Sequence, residues 1–370
     1  MPRMDLRAWV LDARARTLEI YADLRDLLGP RLAIVNPPLW ELGHVAYFQE
    51  YWCLKRDEKW RLYDSAKVAH DTRWDLPLSD PMPYLRAVRD EVLQKLDEID
   101  PYFVMLSVFH EDMHDEAFTY TRQTLGYPAP NLDVPRAVPA EAGPLGGDVS
   151  VPGGRVTIGA REGADRFVFD NEKWAHEVEL DDFRIARAPV TQAEFAAFVD
   201  ATGAEPPLYW RRRDAWERRV FDRWVPLEPH KPVIHVSWHQ AKAFCEFAGR
   251  RLPTEAEWER AATGAALGDA NLDWRAGGTV DVAAHAGGDS AYGCRQMFGN
   301  VWEWCEDWFQ PYAGFVADPY KEYSQPWFGT HKVLRGGCWT TRTRLLRPTW
   351  RNFYEPHRAD VWCGFRTCAK

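Results

Sequence analysis

Two histidines one helical turn apart place the strongest constraint on how this chain can fold. His110 and His114 are separated by three residues, and the residues on either side have a helical pattern. Side chains at i and i+4 share one face of a helix. The pattern therefore predicts a helix that directs both imidazoles into the protein, where they can hold one metal ion together. Apolar residues run along roughly the same face, namely Phe103, Leu106, Ala117, Phe118 and Leu125.

A metal site of this kind needs a third ligand from elsewhere in the chain. Glu116 lies about 200° around the helix from His114 and cannot easily join the pair. His44 is the better candidate, because it too lies among helically spaced apolar residues, in the segment Leu39–Phe48. The alternative, that the histidines are only part of a packed helix face, stays open from these segments alone.

Glu111 raises a second alternative, a zinc protease. His-Glu-x-x-His is also the pattern of the zinc-protease helix, in which Glu111 would be the general base. The metzincin extension of that pattern requires a histidine where this chain has Tyr120. No obvious helix with a third-ligand glutamate follows before the proline-rich stretch. The surrounding sequence therefore disfavours a protease.

Composition and charge are those of a globular protein with two domains. The chain has 370 residues and a net charge of −9 without a basic block, which argues against a nucleic-acid or anionic-membrane partner. No apolar run is long enough to span a membrane and no signal peptide is visible, so we expect a cytoplasmic protein. Seven cysteines without a Cys-x-x-Cys pair predict reduced thiols.

Four helices are predicted in residues 1–130. They cover residues 5–28, Pro37 to about Arg56, a stretch after Pro81, and a stretch from about Pro101 through both histidines. Short or moderate connections favour an antiparallel four-helix bundle, and such bundles hold metals with side chains from facing helices. A third histidine on the second helix fits that geometry.

The composition and the periodicity of the sequence change after this bundle. A linker rich in proline, glycine and alanine is predicted over residues 131–148, followed by an α+β domain over 149–370. Short β-segments are predicted at 149–151, 155–158, 177–180 and 183–185. Helices are predicted at 191–202 and 238–248, with Thr191 and Ser237 as N-caps. The fold class is thus an α domain followed by an α+β domain.

Four segments of the second domain resemble, in order, the signature of the formylglycine-generating-enzyme (sulfatase-modifying factor) domain. They are Arg251–Glu259, Phe298–Trp304, Val333–Trp339 and Gly364–Arg366. The resemblance implies an irregular, C-type-lectin-like fold. The oxidase of that family uses a cysteine pair, and the corresponding positions here are Thr341 and Leu346. The resemblance therefore implies the fold without that activity.

The N-terminal part resembles a DinB-type bundle. A DinB bundle followed by this lectin-like domain is the arrangement of the ergothioneine-pathway sulfoxide synthases and of their ovothiol and selenoneine synthase relatives. These nonheme iron enzymes use O₂ to join sulfur or selenium to an imidazole carbon of histidine or of its betaine, hercynine. The resemblance implies an Fe(II) cofactor held by His44, His110 and His114, in agreement with the ligand set that the helical pattern indicates.

The resemblance also implies which residues of the second domain act on the substrates. Tyr320 or Tyr323 would donate a proton or hydrogen atom. Asn352 would bind the carboxylate of hercynine, and Phe353 would face its quaternary ammonium group. The substrate pocket is expected between the two domains.

Departures from the family pattern bear on the chalcogen donor. Synthases that couple γ-glutamylcysteine typically have Gln-Gln between the histidines and Asn-Trp-Asp in the later segment, whereas this chain has Asp112-Met113 and Asn352-Phe353-Tyr354. Of the groups that would hold an amino-acid thiol, Arg358 alone is retained. The segment around Met113 is more similar to the selenoneine synthases, which implies a selenosugar donor near Met113, Tyr354 and Arg358. Cysteine or γ-glutamylcysteine is the alternative donor, and a non-catalytic binding module is the alternative of another class.

Overall fold

The chain divides into two compact units, with the boundary between Asp133 and Val134. The computed structural model describes residues 5–137, 141–163, 165 and 167–370. Residues 127–137 and 141–147 carry no helix or strand, and β-structure begins at Asp148. The bounds 1–130, 131–148 and 149–370 remain predictions beside this observed division.

The first unit is helical over its described residues. Its α-helices are α1 (Leu6–Tyr21), α2 (Pro38–Leu54), α3 (Trp60–Tyr63), α4 (Met82–Gln94) and α5 (Pro101–Leu125). Both α2 and α5 begin on a proline, whose fixed φ suits a first helical turn. Helix α5 packs on α1 and α2, and α4 packs on α2 and α1. Assignment of this arrangement to the DinB type stays a prediction.

Helix α1 ends at Tyr21, seven residues before the end that the sequence pattern predicts. A buried arginine of α5 supplies the reason. Arg122 donates through Nη1 to the carbonyl oxygen of Ile20 at 2.5 Å and pairs with both carboxylate oxygens of Asp23. The N–H of Leu24 bonds to Tyr21 at 3.1 Å in a tighter turn, where a continuing helix would bond it to Ile20. A contact from a distant helix therefore ends α1.

The second unit combines helices with several small sheets. Its α-helices are α6 (Gln192–Thr202), α7 (Trp238–Phe247) and α8 (Glu255–Ala261). Thr191, Ser237 and Thr254 cap them, each with a glutamate or glutamine completing a capping box. The mixed helix and sheet class predicted for this region is confirmed.

Strands of the second unit pair largely across long sequence separations. They are β1 (Asp148–Val151), β2 (Gly154–Ile158), β3 (His176–Leu180), β4 (Phe183–Ala186), β5 (Trp210–Arg212), β6 (Trp216–Val220), β7 (Arg223–Pro226), β8 (Arg250–Arg251), β9 (Trp302–Trp308), β10 (Lys332–Arg335), β11 (Asn352–Tyr354), β12 (Cys363–Gly364) and β13 (Cys368–Ala369). Among the described residues the sheet orders are β1-β4-β13-β8, β11-β10-β9-β12, β5-β6-β7 and β2-β3. The pairing of β13 with β4 and β8 brings the C-terminal residues into the same sheet as β1.

The four signature segments meet in a buried network of charged side chains. Arg366 donates to both oxygens of Glu303 at 2.6 and 2.7 Å, and Trp258 donates to Glu303 at 2.8 Å. Arg335 bonds to Glu255 at 2.7 Å and to Glu259 at 2.6 Å. These charges are buried but paired and hydrogen-bonded, as buried charges must be. The signature residues therefore build the core of this unit.

Asn300, at the centre of one signature segment, shows why that segment needs its particular residue. Its backbone has φ of 66°, a left-handed conformation that asparagine tolerates better than most residues. Its buried side chain bonds to the backbone of Val280 and to the side chains of Asn271 and Gln296. The residue is thus fixed by conformation and hydrogen bonding together.

The cysteines and the lengths of the helices can be examined directly in the structure. All seven cysteines are buried and none is bonded to another, and the redox state of the thiols stays a prediction. Among the described residues, every helix is too short or too polar to cross a membrane.

Candidate metal centre

Three histidines from two packed helices converge in the first unit. His44 lies on α2, and His110 and His114 lie one turn apart on α5. One ring nitrogen from each can be chosen so that all three lie within 4.8 Å of one another. His44 and His110 are 4% and 3% exposed, while the His114 side chain keeps 21% of its surface. The cluster is therefore largely withdrawn from solvent, with its more open side at His114.

Hydrogen bonds behind two of the rings orient them. Nδ1 of His44 lies 2.8 Å from the carbonyl oxygen of Tyr63, which can only accept, so this nitrogen carries the proton. Nδ1 of His114 lies 2.8 Å from a carboxylate oxygen of Glu41. In both rings Nε2 is left as the electron-pair donor. This pattern of backing is typical of metal-binding histidines.

Burial keeps the imidazoles of His44 and His110 neutral. It lowers the pKa of His44 to about 3, with a further contribution from the nearby His114. Burial likewise lowers the pKa of His110 well below its usual range. The His110 ring stacks on Phe48, with 3.5 Å between centroids and 2° between planes. Neutral, rigidly packed imidazoles are the form that binds a metal ion.

The donor set fits a transition-metal ion. Three imidazole nitrogens suit iron, zinc, copper or nickel rather than magnesium or calcium, which prefer oxygen. Glu116 is buried but stands outside the group of ligand atoms, as the helical spacing predicts. The residues present can therefore hold the Fe(II) that the family resemblance implies.

Glu111 has a structural partner that excludes the protease interpretation. Its Oε1 accepts from Nε of Arg14 at 2.6 Å and from the Thr17 hydroxyl at 2.8 Å. Its Oε2 accepts from Nη2 of Arg14 at 3.2 Å. Both side chains are 1% exposed. A carboxylate committed in this way to α1 is not placed to act as a general base beside the histidines.

The two candidate tyrosines lie close together in the second unit. Their ring centroids are 6.1 Å apart, and the Tyr323 ring lies 4.2 Å from Phe169 and 5.7 Å from Phe353. Nε1 of Trp350 donates to the Tyr323 hydroxyl oxygen at 3.3 Å. Burial raises the pKa of Tyr323, so its hydroxyl keeps its proton at neutral pH. Tyr323 is thus in ring contact with Phe353.

Asn352, Phe353 and Tyr354 form β11, on the edge of the sheet beside β10. The Phe353 ring stacks on Phe309 at 4.1 Å and meets His331 at 5.9 Å. Oδ1 of Asn352 accepts the backbone N–H of Phe353 at 2.8 Å, which leaves the amide NH₂ group as the donor of this side chain. The strand therefore carries an amide donor and an aromatic ring on consecutive residues.

Arg358 is engaged within the chain. It donates to both oxygens of Asp360 at 2.6 Å, and Asp360 is buried. Its guanidinium carbon lies 5.3 Å from the centroid of the Tyr354 ring. Arg358 is therefore neutralised by an acidic neighbour.

Met113 lies on α5 directly before His114 and is half-buried.

The sequence interpretation missed Glu41. This carboxylate stands three residues before His44, on the same face of α2, within an otherwise apolar stretch. The available signal for a role at the metal centre was an acidic residue one turn before His44 on a buried helix. The packing of the helices shows its partner, because His114 lies on α5.

Comparison with known proteins places the chain in a family. The model of the sulfatase-modifying factor enzyme 1-like domain matches residues 134–370. "Hercynine oxygenase" of Mycolicibacterium smegmatis is 34% identical, over 96% of this chain and 96% of that protein. "Hercynine oxygenase" of Mycolicibacterium thermoresistibile is also 34% identical, over 98% of this chain and 94% of that protein. "Formylglycine-generating enzyme" of Thermomonospora curvata is 30% identical, over 65% of this chain and 99% of that protein.

The relatives differ in how much of the chain they match. The formylglycine-generating enzyme matches over about the length of the second unit, whereas the hercynine oxygenases match across both units, including the one that carries the three histidines. The chain belongs to the family of the hercynine oxygenases, and its second unit belongs to the sulfatase-modifying factor enzyme 1-like domain family.

Proposed function

We propose that this chain is a nonheme Fe(II)- and O₂-dependent oxidoreductase that forms a carbon–selenium or carbon–sulfur bond on the imidazole ring of hercynine. The observation that carries the proposal is the cluster of three histidines in a chain related over 96% of its length to a hercynine oxygenase. The reaction balances when imidazole C–H and donor Se–H or S–H react with O₂. One oxygen atom then leaves as water and the other stays on the chalcogen.

Iron would be held by His44, His110 and His114. When bound, it would supply coordination positions for O₂ and for a soft selenium or sulfur atom. The protein's own part is to orient these rings, through the Tyr63 carbonyl and the Glu41 carboxylate. Burial of His44 and His110 would also limit the access of water to the reaction.

Hercynine is recognised by the residues of β11. A quaternary ammonium group has no hydrogen to donate, so it is bound by aromatic faces. The rings of Tyr323 and Phe309 support this role, because their centroids lie 5.7 and 4.1 Å from the centroid of Phe353. The three rings thus form one aromatic group. The amide NH₂ group of Asn352 suits the substrate carboxylate, because its Oδ1 is already bonded to the backbone.

Tyr323 is the favoured proton or hydrogen donor. It contacts Phe353, and it keeps its proton because burial raises its pKa. The hydrogen bond that it accepts from Trp350 leaves its own O–H available to donate. Tyr320, whose ring packs near Tyr323, is the second candidate.

The favoured donor is a selenosugar, so that the activity is that of a selenoneine synthase. An amino-acid donor brings a carboxylate that needs a cationic partner, but the Arg358 guanidinium is already bound to Asp360. A sugar asks instead for hydroxyl hydrogen bonds and stacking surfaces, which Tyr354 and its neighbours supply. Ergothioneine-type coupling to cysteine or γ-glutamylcysteine is the alternative.

One competition experiment tests activity and donor together. The Fe(II)-loaded protein is supplied under air with hercynine, selenosugar, thiosugar, cysteine and γ-glutamylcysteine, and products are identified by mass spectrometry while O₂ uptake is recorded. We expect a selenosugar-derived product to predominate. A cysteine-derived sulfoxide would reject the donor assignment and keep the reaction class. Absence of O₂ uptake with every donor would reject the enzyme and favour a binding module.

A further inference from the structure

The hydrogen bond behind His114 belongs to a larger buried arrangement. Oε2 of Glu41 lies 2.8 Å from Nδ1 of His114, and the Glu41 side chain is 10% exposed. Its other oxygen, Oε1, accepts from the side-chain amide of Asn36. Arg73 in turn donates through Nη1 to Oδ1 of Asn36 at 2.5 Å. The carboxylate is therefore held from both sides.

The same arginine connects this chain of contacts to a second histidine. The Arg73 guanidinium carbon lies 3.8 Å from the centroid of the Trp40 ring. Trp40 stacks on His44, with 4.8 Å between centroids and 9° between planes. Two of the three histidines are thus linked through one set of buried groups, and Glu41 is the carboxylate in that set.

His44 and His114 differ in the group that accepts from Nδ1, and therefore in how strongly Nε2 can donate an electron pair to a metal ion. His44 is backed by a neutral carbonyl group, whereas His114 is backed by a carboxylate. A carboxylate that accepts Nδ1–H increases the electron density on the opposite nitrogen and fixes the ring orientation. Asn36, itself bonded to Arg73, holds the second carboxylate oxygen of Glu41.

We propose that Glu41 is a positioning residue that makes His114 a stronger electron-pair donor than His44 and tunes the affinity and ligand field of the metal centre. The proposal rests on the metal centre put forward above. It assigns Glu41 no contact with substrate or with metal. Its direct hydrogen bond to the metal centre is the one to His114.

Cobalt(II) is the probe, because its visible absorption reports the ligand field without turnover. The full-length metal-free protein is titrated with Co(II) against a chelator, and the spectrum is recorded. Glu41→Gln keeps the shape of the side chain and removes its charge. We expect binding to weaken roughly 10- to 100-fold and the absorption bands to shift. The matched control is Glu50→Gln, another buried glutamate of α2, which accepts from the Tyr84 hydroxyl instead. It is expected to bind Co(II) as the wild type does.

A second variant covers the case in which Glu41→Gln does not fold. Asn36→Ala keeps the Glu41 charge but removes the group that holds it, and should give a smaller loss with a shift in the same direction. Wild-type affinity and spectrum in whichever of these variants folds would overturn the proposal. If the wild type itself bound no Co(II), the metal centre would fail, which is a different result.

Discussion

Replacing Glu111 by glutamine distinguishes a structural charge from a catalytic base. In the structure Glu111 is the counter-ion of Arg14, with contacts of 2.6 and 3.2 Å, and both side chains are 1% exposed. Arg14 also donates to the carbonyl of Leu85 at 2.5 Å and to Gln49 at 3.1 Å. Glutamine preserves the size of the side chain and removes its charge, so Arg14 would remain buried without compensation.

The magnitude follows from that burial. Removing one partner of a buried ion pair typically costs about 3–5 kcal/mol, because the remaining charge is left in a medium of low dielectric constant. A domain is usually stable by about 5–15 kcal/mol, so the loss should be a large fraction of the whole. Arg14→Met with Glu111→Leu removes both charges and should recover most of the stability.

Urea unfolding followed by far-ultraviolet circular dichroism measures the effect, since the unit that contains the pair is helical over its described residues. Metal content and turnover are measured on the same preparations. We expect Glu111→Gln to be less stable and to bind metal normally while folded. A stability change below about 1 kcal/mol together with loss of turnover would refute the structural role and return Glu111 to the list of catalytic bases.

Four further outcomes are expected. His114→Ala should lose stoichiometric iron by metal analysis after anaerobic loading, and retention would show that the ligand assignment is wrong. Phe353→Ala should raise KM for hercynine about 2- to 30-fold, the equivalent of 0.5–2 kcal/mol, and an equal rise for the chalcogen donor would contradict its role. Tyr323→Phe should slow turnover more than Tyr320→Phe, by about 10²-fold or more, and the reverse order would exchange the two assignments. Asn300→Ala should lower the free energy of unfolding by about 3 kcal/mol or more, because it strands several buried polar partners, and a urea midpoint equal to the wild type would contradict this.

Local signals in the sequence predict the elements that carry the histidines. Proline at the start of a helix, apolar residues at helical spacing and the i, i+4 histidine pair are all short-range features, and α2 and α5 follow them closely. Capping boxes at Thr191 and Ser237 locate α6 and α7 for the same reason. Each of these signals depends on residues within one or two helical turns.

Contacts between distant residues escape such signals. The end of α1 is decided by Arg122, about a hundred residues later in the chain, and the role of Glu111 is decided by Arg14. The orientation of His114 depends on Glu41, which no local pattern connects to it. Strand order in the second unit is equally non-local, since β13 lies between β4 and β8. Sequence patterns locate these elements, and packing decides their partners.

The buried pairing of Arg366 with Glu303 and of Arg335 with Glu255 bears on how enzymes of this fold are told apart. Since these pairs hold the scaffold together, a chain can change its chemistry only at other positions. A sequence search that recognises the segments around these pairs groups proteins that share the scaffold. It does not distinguish the reactions that they catalyse. Activities must instead be sorted by positions outside these pairs, such as 341 and 346, where this chain lacks the cysteine pair of the oxidase, or 353. A library that varies those positions while retaining the paired arginines would test whether the reaction can change on this scaffold.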